Sequence, residues 1–146
     1  ACWDAVTATL RLCVRAVAYE GEVGIFDRGD PSNPFLNYTI VVVGYCSGDA
    51  HTGNVTQSWD GMRYPVDLVQ QRGFVNAKAA VDWAAGNTAA RLQSLIVTGS
   101  SAGALGTQVW SRKLLQDFSY DAAAVISDSY AAVFPAGVQG SLMKGF

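Results

Sequence analysis

The chain has 146 residues, enough for one domain with a core of its own. Half of the residues are hydrophobic, 15% are charged and the formal net charge is −2, which excludes a disordered chain and an electrostatic nucleic-acid binder. No apolar run approaches the length of a membrane span.

The chain opens without a methionine, directly in Ala1-Cys2-Trp3-Asp4, and stops at Gly145-Phe146. The expectation is a piece of a longer protein, so the want of a leader says nothing about secretion. Asp4 is placed to cap a helix running to about Val17, with Val6, Leu10, Cys13 or Val14, and Val17 on one face. Residues 20–37 read as a loop or weak strand, punctuated by Gly21, Gly24, Gly29, Pro31 and Pro34. Residues 39–45 read as a buried strand, with a continuous β-branched run over 39–43, the pattern of a parallel strand covered on both faces, and 46–54 form a loop at its carboxyl end. Residues 55–72 are ambiguous; Pro65 and the alternation Val66-Asp67-Leu68 favour short extended pieces.

A helix is expected over 74–85, with Val75, Ala79, Val81 or Asp82, and Trp83 in register and Gly86-Asn87 ending it. Residues 92–98 read as a second buried strand, 104–115 as a helix, and 122–127 as a third strand ending at Asp128-Ser129. There is no internal repeat and no low-complexity tract. Alternating strands and helices predict a parallel α/β sheet. The loop 46–54, the turn after Thr98 and the loop after Ser127 then open on one rim, where ligands of open α/β sheets bind.

That turn is Gly99-Ser100-Ser101-Ala102-Gly103. G-x-S-x-G is common by chance, but between a strand and a helix it has the context of a nucleophile elbow. Gly99 and Gly103 are read as letting strand and helix approach closely. Ser101 is the candidate nucleophile, projecting where the N–H groups and dipole of the following helix point. A turn without chemistry is the plain alternative. A nucleotide loop using Gly99, Gly103 and Gly106 fits less well: the dinucleotide fingerprint needs glycine where Ser101 stands, and no Walker lysine follows.

The single histidine, His51, falls on the same rim. As a base with Asp49 or Asp128 it would precede the serine, against the Ser–acid–His order of hydrolase triads, so it reads better as a pocket residue, or as an exposed loop residue. Asp128 is a candidate acid but more simply a brace for the elbow loop. Asp49 is a pocket candidate or the centre of an Asx turn. Trp59, in a polar loop, is a candidate ligand wall, whereas Trp83 and Trp110 on helices are expected in the core. With three cysteines, no C-x-x-C and one histidine, no metal site is expected. Cys2 and Cys13 are a candidate disulfide that would leave Cys46 odd; buried reduced thiols are the alternative. Asn37-Tyr38-Thr39 and Asn54-Val55-Thr56 are N-glycosylation sequons, which favours an extracellular setting.

Taken together, these residues resemble the pectin acetylesterase/Notum family of carboxylesterases over nearly the whole chain. Ser32-Asn33-Pro34 followed by Val41-Val42-Val43-Gly44-Tyr45-Cys46-Ser47-Gly48-Asp49 is similar to that family's strand and Y-C-S/T-G/S-D loop. Arg72-Gly73 and the helix through Asp82-Trp83 resemble its R-G segment, Gly99 to Gly103 its G-S/C-S-A-G elbow, and Ser127-Asp128-Ser129 its D-S/A-G segment. The opening Ala1-Cys2-Trp3 resembles the residues after its glycine-rich oxyanion strand, with Ala1 where members carry an aromatic residue and Tyr130 where they carry glycine.

The resemblance implies a partial α/β-hydrolase-like domain over residues 1–146 holding the nucleophile half. It implies hydrolysis of a carboxylic ester, in pectin or another acylated substrate, with Ser101 as nucleophile, the Ala102 N–H as an oxyanion donor and no cofactor. In that family the triad's acid and histidine follow the third strand, so both are expected beyond Phe146, and residues 1–146 alone are expected to be inactive. A non-catalytic homologue or binding module on the same fold is the rival reading.

Overall fold

The computed structural model describes residues 23–57, 69–130 and 136. The expected helix over 4–17, the Cys2–Cys13 pair and Trp59 lie outside the described residues.

Strand β1 (Val55–Gln57) pairs antiparallel with β2 (Val69–Gln71), and helix α1 (Gly73–Asn87) follows. Strand β3 (Leu92–Ser100), helix α2 (Ala102–Asp117) and strand β4 (Tyr120–Asp128) then form a parallel β–α–β unit. Leu95-Ile96-Val97-Thr98 gives β3 the branched side chains that suit a pleated surface. The β3–β4 register runs from Leu92 opposite Tyr120 to Ser100 opposite Asp128. Helix α2 packs on both strands, and its Ala104, Gly106, Thr107 and Trp110 are buried. The chain is thus an α/β unit, and among the described residues no helix is long and apolar enough to cross a membrane.

Two expectations about strands are corrected. Residues 39–45 form no strand with any described residue, and Val41 and Val42 are 38% and 53% exposed. Branched side chains favour extended backbone, but a strand exists only where a neighbour completes its ladder. The second concerns burial: Val125 and Ile126, adjacent in β4 and so on opposite faces, are 43% and 41% exposed, so among the described residues neither face of β4 is buried there.

The irregular segment before residue 39 is ordered by side chains reaching main-chain carbonyls, the alternative to a ladder. After a short 3-10 turn at Gly24–Phe26, Arg28 donates from Nη1 to the carbonyls of Phe35 and Leu36 and from Nη2 to that of Tyr38 (2.7 Å). Asn33 Nδ2 donates to the carbonyls of Ile25 (3.1 Å) and Asp27 (2.7 Å).

Helix α1 runs through Gly86 and Asn87 instead of stopping there. Asn87 Nδ2 donates to the Trp83 carbonyl and Thr88 Oγ1 to the Ala84 carbonyl, both at 2.8 Å, so side chains satisfy the last turn. Its inward stripe is made of small residues: Gly73 and Ala77 are buried, and Ala80, Val81 and Ala84 are half-buried. Val75 points outward and Trp83 is 58% exposed, which corrects the expectation that Trp83 belongs to the core. Trp110 does belong to it: its indole stacks on Phe74 with ring centres 5.1 Å apart, joining α2 to the first turn of α1. Trp110→Ala is therefore expected to destabilise by ~3–5 kcal/mol and Trp83→Ala by less than ~1 kcal/mol, measured by urea unfolding.

Candidate functional site

The junction of β3 and α2 carries an unusual backbone. Ser101 has φ 56° and ψ −116°, a conformation costly for any residue with a Cβ, yet it sits between an ordinary strand and an ordinary helix. Three contacts hold it there. The Ser101 N–H donates to the Asp128 carbonyl at 3.1 Å, tying the bend to the end of β4. The Ala104 N–H donates back to the Ser101 carbonyl at 3.0 Å and starts α2. Ser127 Oγ reaches the Ala104 carbonyl at 3.4 Å.

Of the two glycines that flank the bend, only Gly99 is required by space. A Cβ on Gly99 would stand 2.5 Å from the Gly103 carbonyl carbon and 2.8 Å from Thr107 Oγ1, while one on Gly103 would meet nothing. The expectation that both glycines let strand and helix approach is corrected accordingly: Gly103 contributes its main chain, and Gly99 makes room for it.

The Ser101 side chain is exposed, does not cap α2, and bonds to no described residue. Beneath it lies the helix N-terminus, whose first N–H groups, starting with Ala102, have no acceptor within the helix. N–H groups left open at a helix N-terminus stabilise negative charge brought to them. The Asp128 side chain is exposed at the end of β4 and bonds to no described residue, so its part in the bend is played by its carbonyl. Ser129, which follows it, has φ 59°.

The loop after residue 46 is built around Asp49, whose side chain is fully buried. Its Oδ1 accepts from Ser47 Oγ at 2.6 Å and from the His51 N–H at 3.1 Å, an Asx turn, and its Oδ2 accepts from the Gly73 N–H at 2.7 Å. Gly73 is the first residue of α1, so the carboxylate sits on that helix's N-terminus from 24 residues away. The Gly53 carbonyl accepts the next helix donor, the Phe74 N–H, at 2.9 Å. A Cβ on Gly53 would lie 2.5 Å from Asp49 Oδ2, and one on Gly73 2.7 Å from both Asp49 Cγ and Oδ2. Both glycines are there for the carboxylate's close approach.

Held this way, Ala50 and His51 adopt φ of 51° and 62°, and the loop turns onto α2. The His51 carbonyl accepts from Trp110 Nε1 at 2.8 Å. The imidazole lies 4.8 Å, centre to centre, from the Tyr45 ring, and its Cδ2 stands 2.9 Å from where a Cβ of Gly106 would be. Tyr45 Oη accepts the Ala50 N–H at 3.0 Å. His51 is 9% exposed and makes no hydrogen bond with Ser101. Asp49 and His51 are thus brought together at the flank of α2, Ser101 and Asp128 at the end of the sheet, and no described contact joins the two pairs. Burial lowers the His51 pKa below 6.5, and the Asp49 charge opposes this.

Asn37 and Asn54 are both exposed. Cys46 is half-buried and free. No group of three metal-ligating side chains occurs among the described residues. Sequence reasoning singled out Asp49 and His51 but missed what they bind. It named Arg72 only within a family segment and missed its bonds, from Nη1 to Asn54 Oδ1 at 2.8 Å and from Nη2 to Thr56 Oγ1 at 3.0 Å. The available signal was the pair Gly53 and Gly73, glycines that no turn explains: neither has a positive φ.

The family model described as Pectinacetylesterase matches residues 15–138, so the chain belongs to the pectinacetylesterase family. That family is one of esterases acting as deacetylases on acylated polysaccharide, and its members are generally secreted. No curated protein and no solved structure matches the chain.

Two outcomes are expected of the site's geometry. Gly99→Ala should cost ~1–3 kcal/mol in urea unfolding, while Gly103→Ala, in a helix and in open space, should be neutral or stabilising. The second concerns pH. The unfolded chain protonates His51 at about its ordinary value and the folded chain only at a lower one. The contribution is therefore whole above 6.5 and is lost as pH falls from there toward the folded value. His51→Gln should flatten the slope of unfolding free energy between about pH 7 and pH 5, measured by urea titrations at each pH.

Proposed function

We propose that this member of the pectinacetylesterase family is a serine carboxylic-ester hydrolase with Ser101 as its nucleophile, acting on an acylated polysaccharide outside the cell. The observation that carries the reading is the positive φ of an exposed serine between a parallel strand and a helix. Strain of this kind persists only where the surrounding structure holds it, and it clusters at functional sites. In this reading residues 1–146 are the nucleophile half of an α/β-hydrolase-like domain, and β3, α2 and β4 are the strand, helix and strand around its elbow.

The chemistry follows from those parts. Ser101 Oγ attacks the ester carbonyl and gives its proton to a base. The carbonyl oxygen becomes an oxyanion over the Ala102 N–H and the positive end of α2. When the tetrahedral intermediate collapses, the C–O bond to the sugar breaks, and the base's proton leaves with the sugar oxygen. Water then attacks the acyl-serine with the same base accepting its proton, which returns acetate and the free hydroxyl. The backbone is committed to this geometry before substrate arrives, through the Asp128 carbonyl and the absent Cβ of Gly99.

The base and its acid are assigned to parts of the protein outside the described residues. His51 is occupied against Tyr45 and Gly106, and neither it nor the Asp128 carboxylate bonds to Ser101. This observation also favours a second reading, in which the chain retains the elbow and has lost turnover, as a binding module on the same fold.

Fluorophosphonate labelling separates the two. The full protein is expected to label at Ser101, residues 1–146 alone to label poorly or not at all, and Ser101→Ala to abolish both labelling and release of acetate from acetylated pectin. Removing a triad member typically lowers kcat by ~10⁴-fold or more. An unlabelled full protein that still folds rejects the esterase and leaves the binding module.

A further inference from the structure

The β1–β2 ribbon shows a face that the elbow does not use. Thr56 and Gln70 are register partners, so by alternation Asn54, Thr56, Gln70 and Arg72 share one face, with Gln71 buried on the other. The four side chains are knitted together. Arg72 donates from Nη1 to Asn54 Oδ1 (2.8 Å), from Nη2 to Thr56 Oγ1 (3.0 Å) and from Nε to Gln70 Oε1 (3.3 Å). Thr56 Oγ1 in turn donates to Gln70 Oε1 at 2.7 Å.

All of these acceptors are neutral. The ion pairs among the described residues join Lys78 to Asp82, Arg91 to Asp121 and Lys113 to Asp117, and none involves Arg72. A guanidinium has five N–H donors in a fixed plane, and three are spent here, so two donors and the full charge remain. The Asn54 and Gln70 carboxamides have accepted through oxygen, which leaves their NH₂ groups as further donors. The exposed face is therefore cationic, rich in donors, held in one geometry and unmatched by any anion on the described chain.

We propose that this face is a subsite for the carboxylate of a uronic-acid residue in the polysaccharide chain, with Arg72 taking the carboxylate and the Asn54 and Gln70 amides its neighbouring hydroxyls. The proposal rests on the reading that the chain acts on an acylated polysaccharide, and it names that polymer as a polyuronide. It adds a residue that selects the acidic backbone, apart from the serine that cleaves the acyl group. It also sets two uses of Asn54 against each other: a glycan on its Nδ2 would cover the face, so an Asn54 that binds uronate is unglycosylated.

The test is affinity electrophoresis of the full protein through gels containing polygalacturonate or its fully methyl-esterified form, with galacturonate oligomers and inorganic sulfate as soluble competitors. The wild type should be retarded by polygalacturonate alone, more weakly as salt rises, and galacturonate oligomers should compete where sulfate at equal ionic strength does not. Arg72→Gln should weaken retention by about 10–100-fold, and Arg72→Lys, which keeps charge without the fork, should fall between. Ser101→Ala should be retarded like the wild type, so loss of esterase activity and loss of this subsite are read separately. Equal retention on the esterified polymer, competition by sulfate alone, or unchanged retention of Arg72→Gln overturns the proposal. Should Arg72→Gln fail to fold, proton–nitrogen NMR of the wild type decides. Galacturonate trimer must shift the Arg72 Nε and the Asn54 and Gln70 side-chain amide signals, and a titration that leaves them still sinks it.

Discussion

One buried carboxylate organises the described chain. Removing Asp49 from water is costly unless donors replace the solvent, and here a hydroxyl and two backbone N–H groups do so. Because those donors come from its own loop and from the first residue of α1, the bonds that satisfy the charge also fix the loop on the helix. The same loop then delivers the His51 carbonyl to the Trp110 indole, and Trp110 stacks on Phe74 one residue past Gly73. The circuit closes through α2, the helix that follows Ser101. The bend at the end of β3 is thus carried by a helix that is itself pinned at its flank.

The strain at Ser101 and the space at Gly99 belong to one constraint. A residue at positive φ needs its neighbours to over-determine it, and the Asp128 carbonyl and the start of α2 do so only while the Gly103 main chain can lie against Gly99. Catalysis by a preorganised site requires this kind of prior commitment, since donors that had to be arranged during the reaction would spend the stabilisation they offer.

Much of this unit was legible in the residues, because its signals are local. The run from Leu95 to Thr98, the G-x-S-x-G turn and the uninterrupted stretch after it fix strand, bend and helix within a few positions, and β3, α2 and β4 follow that reading with slightly wider bounds. What was hidden depends on partners. Residues 39–45 have the composition of a buried strand but no neighbour to pair with among the described residues. The inward face of α1 runs against the rule that large apolar side chains are the buried ones. Gly73 and Ala77 are buried since closeness, not bulk, is needed there, and Trp83 turns outward in consequence. The bond from Asp49 to Gly73 spans 24 residues and follows no period, so only the two glycines without turn conformations hinted at it.

The packing of Asp49 against Gly53 and Gly73 ties the evolutionary freedom of three positions together. While the carboxylate is in place, any larger residue at either glycine collides with it; once it is gone, the collision goes too, though the helix end has lost its anion. Substitutions at 49, 53 and 73 should therefore be epistatic, each changing what the others tolerate. A lineage that gave up the acid would be released to diversify both glycines, and sequences of this kind should change at the three sites as a set rather than one by one.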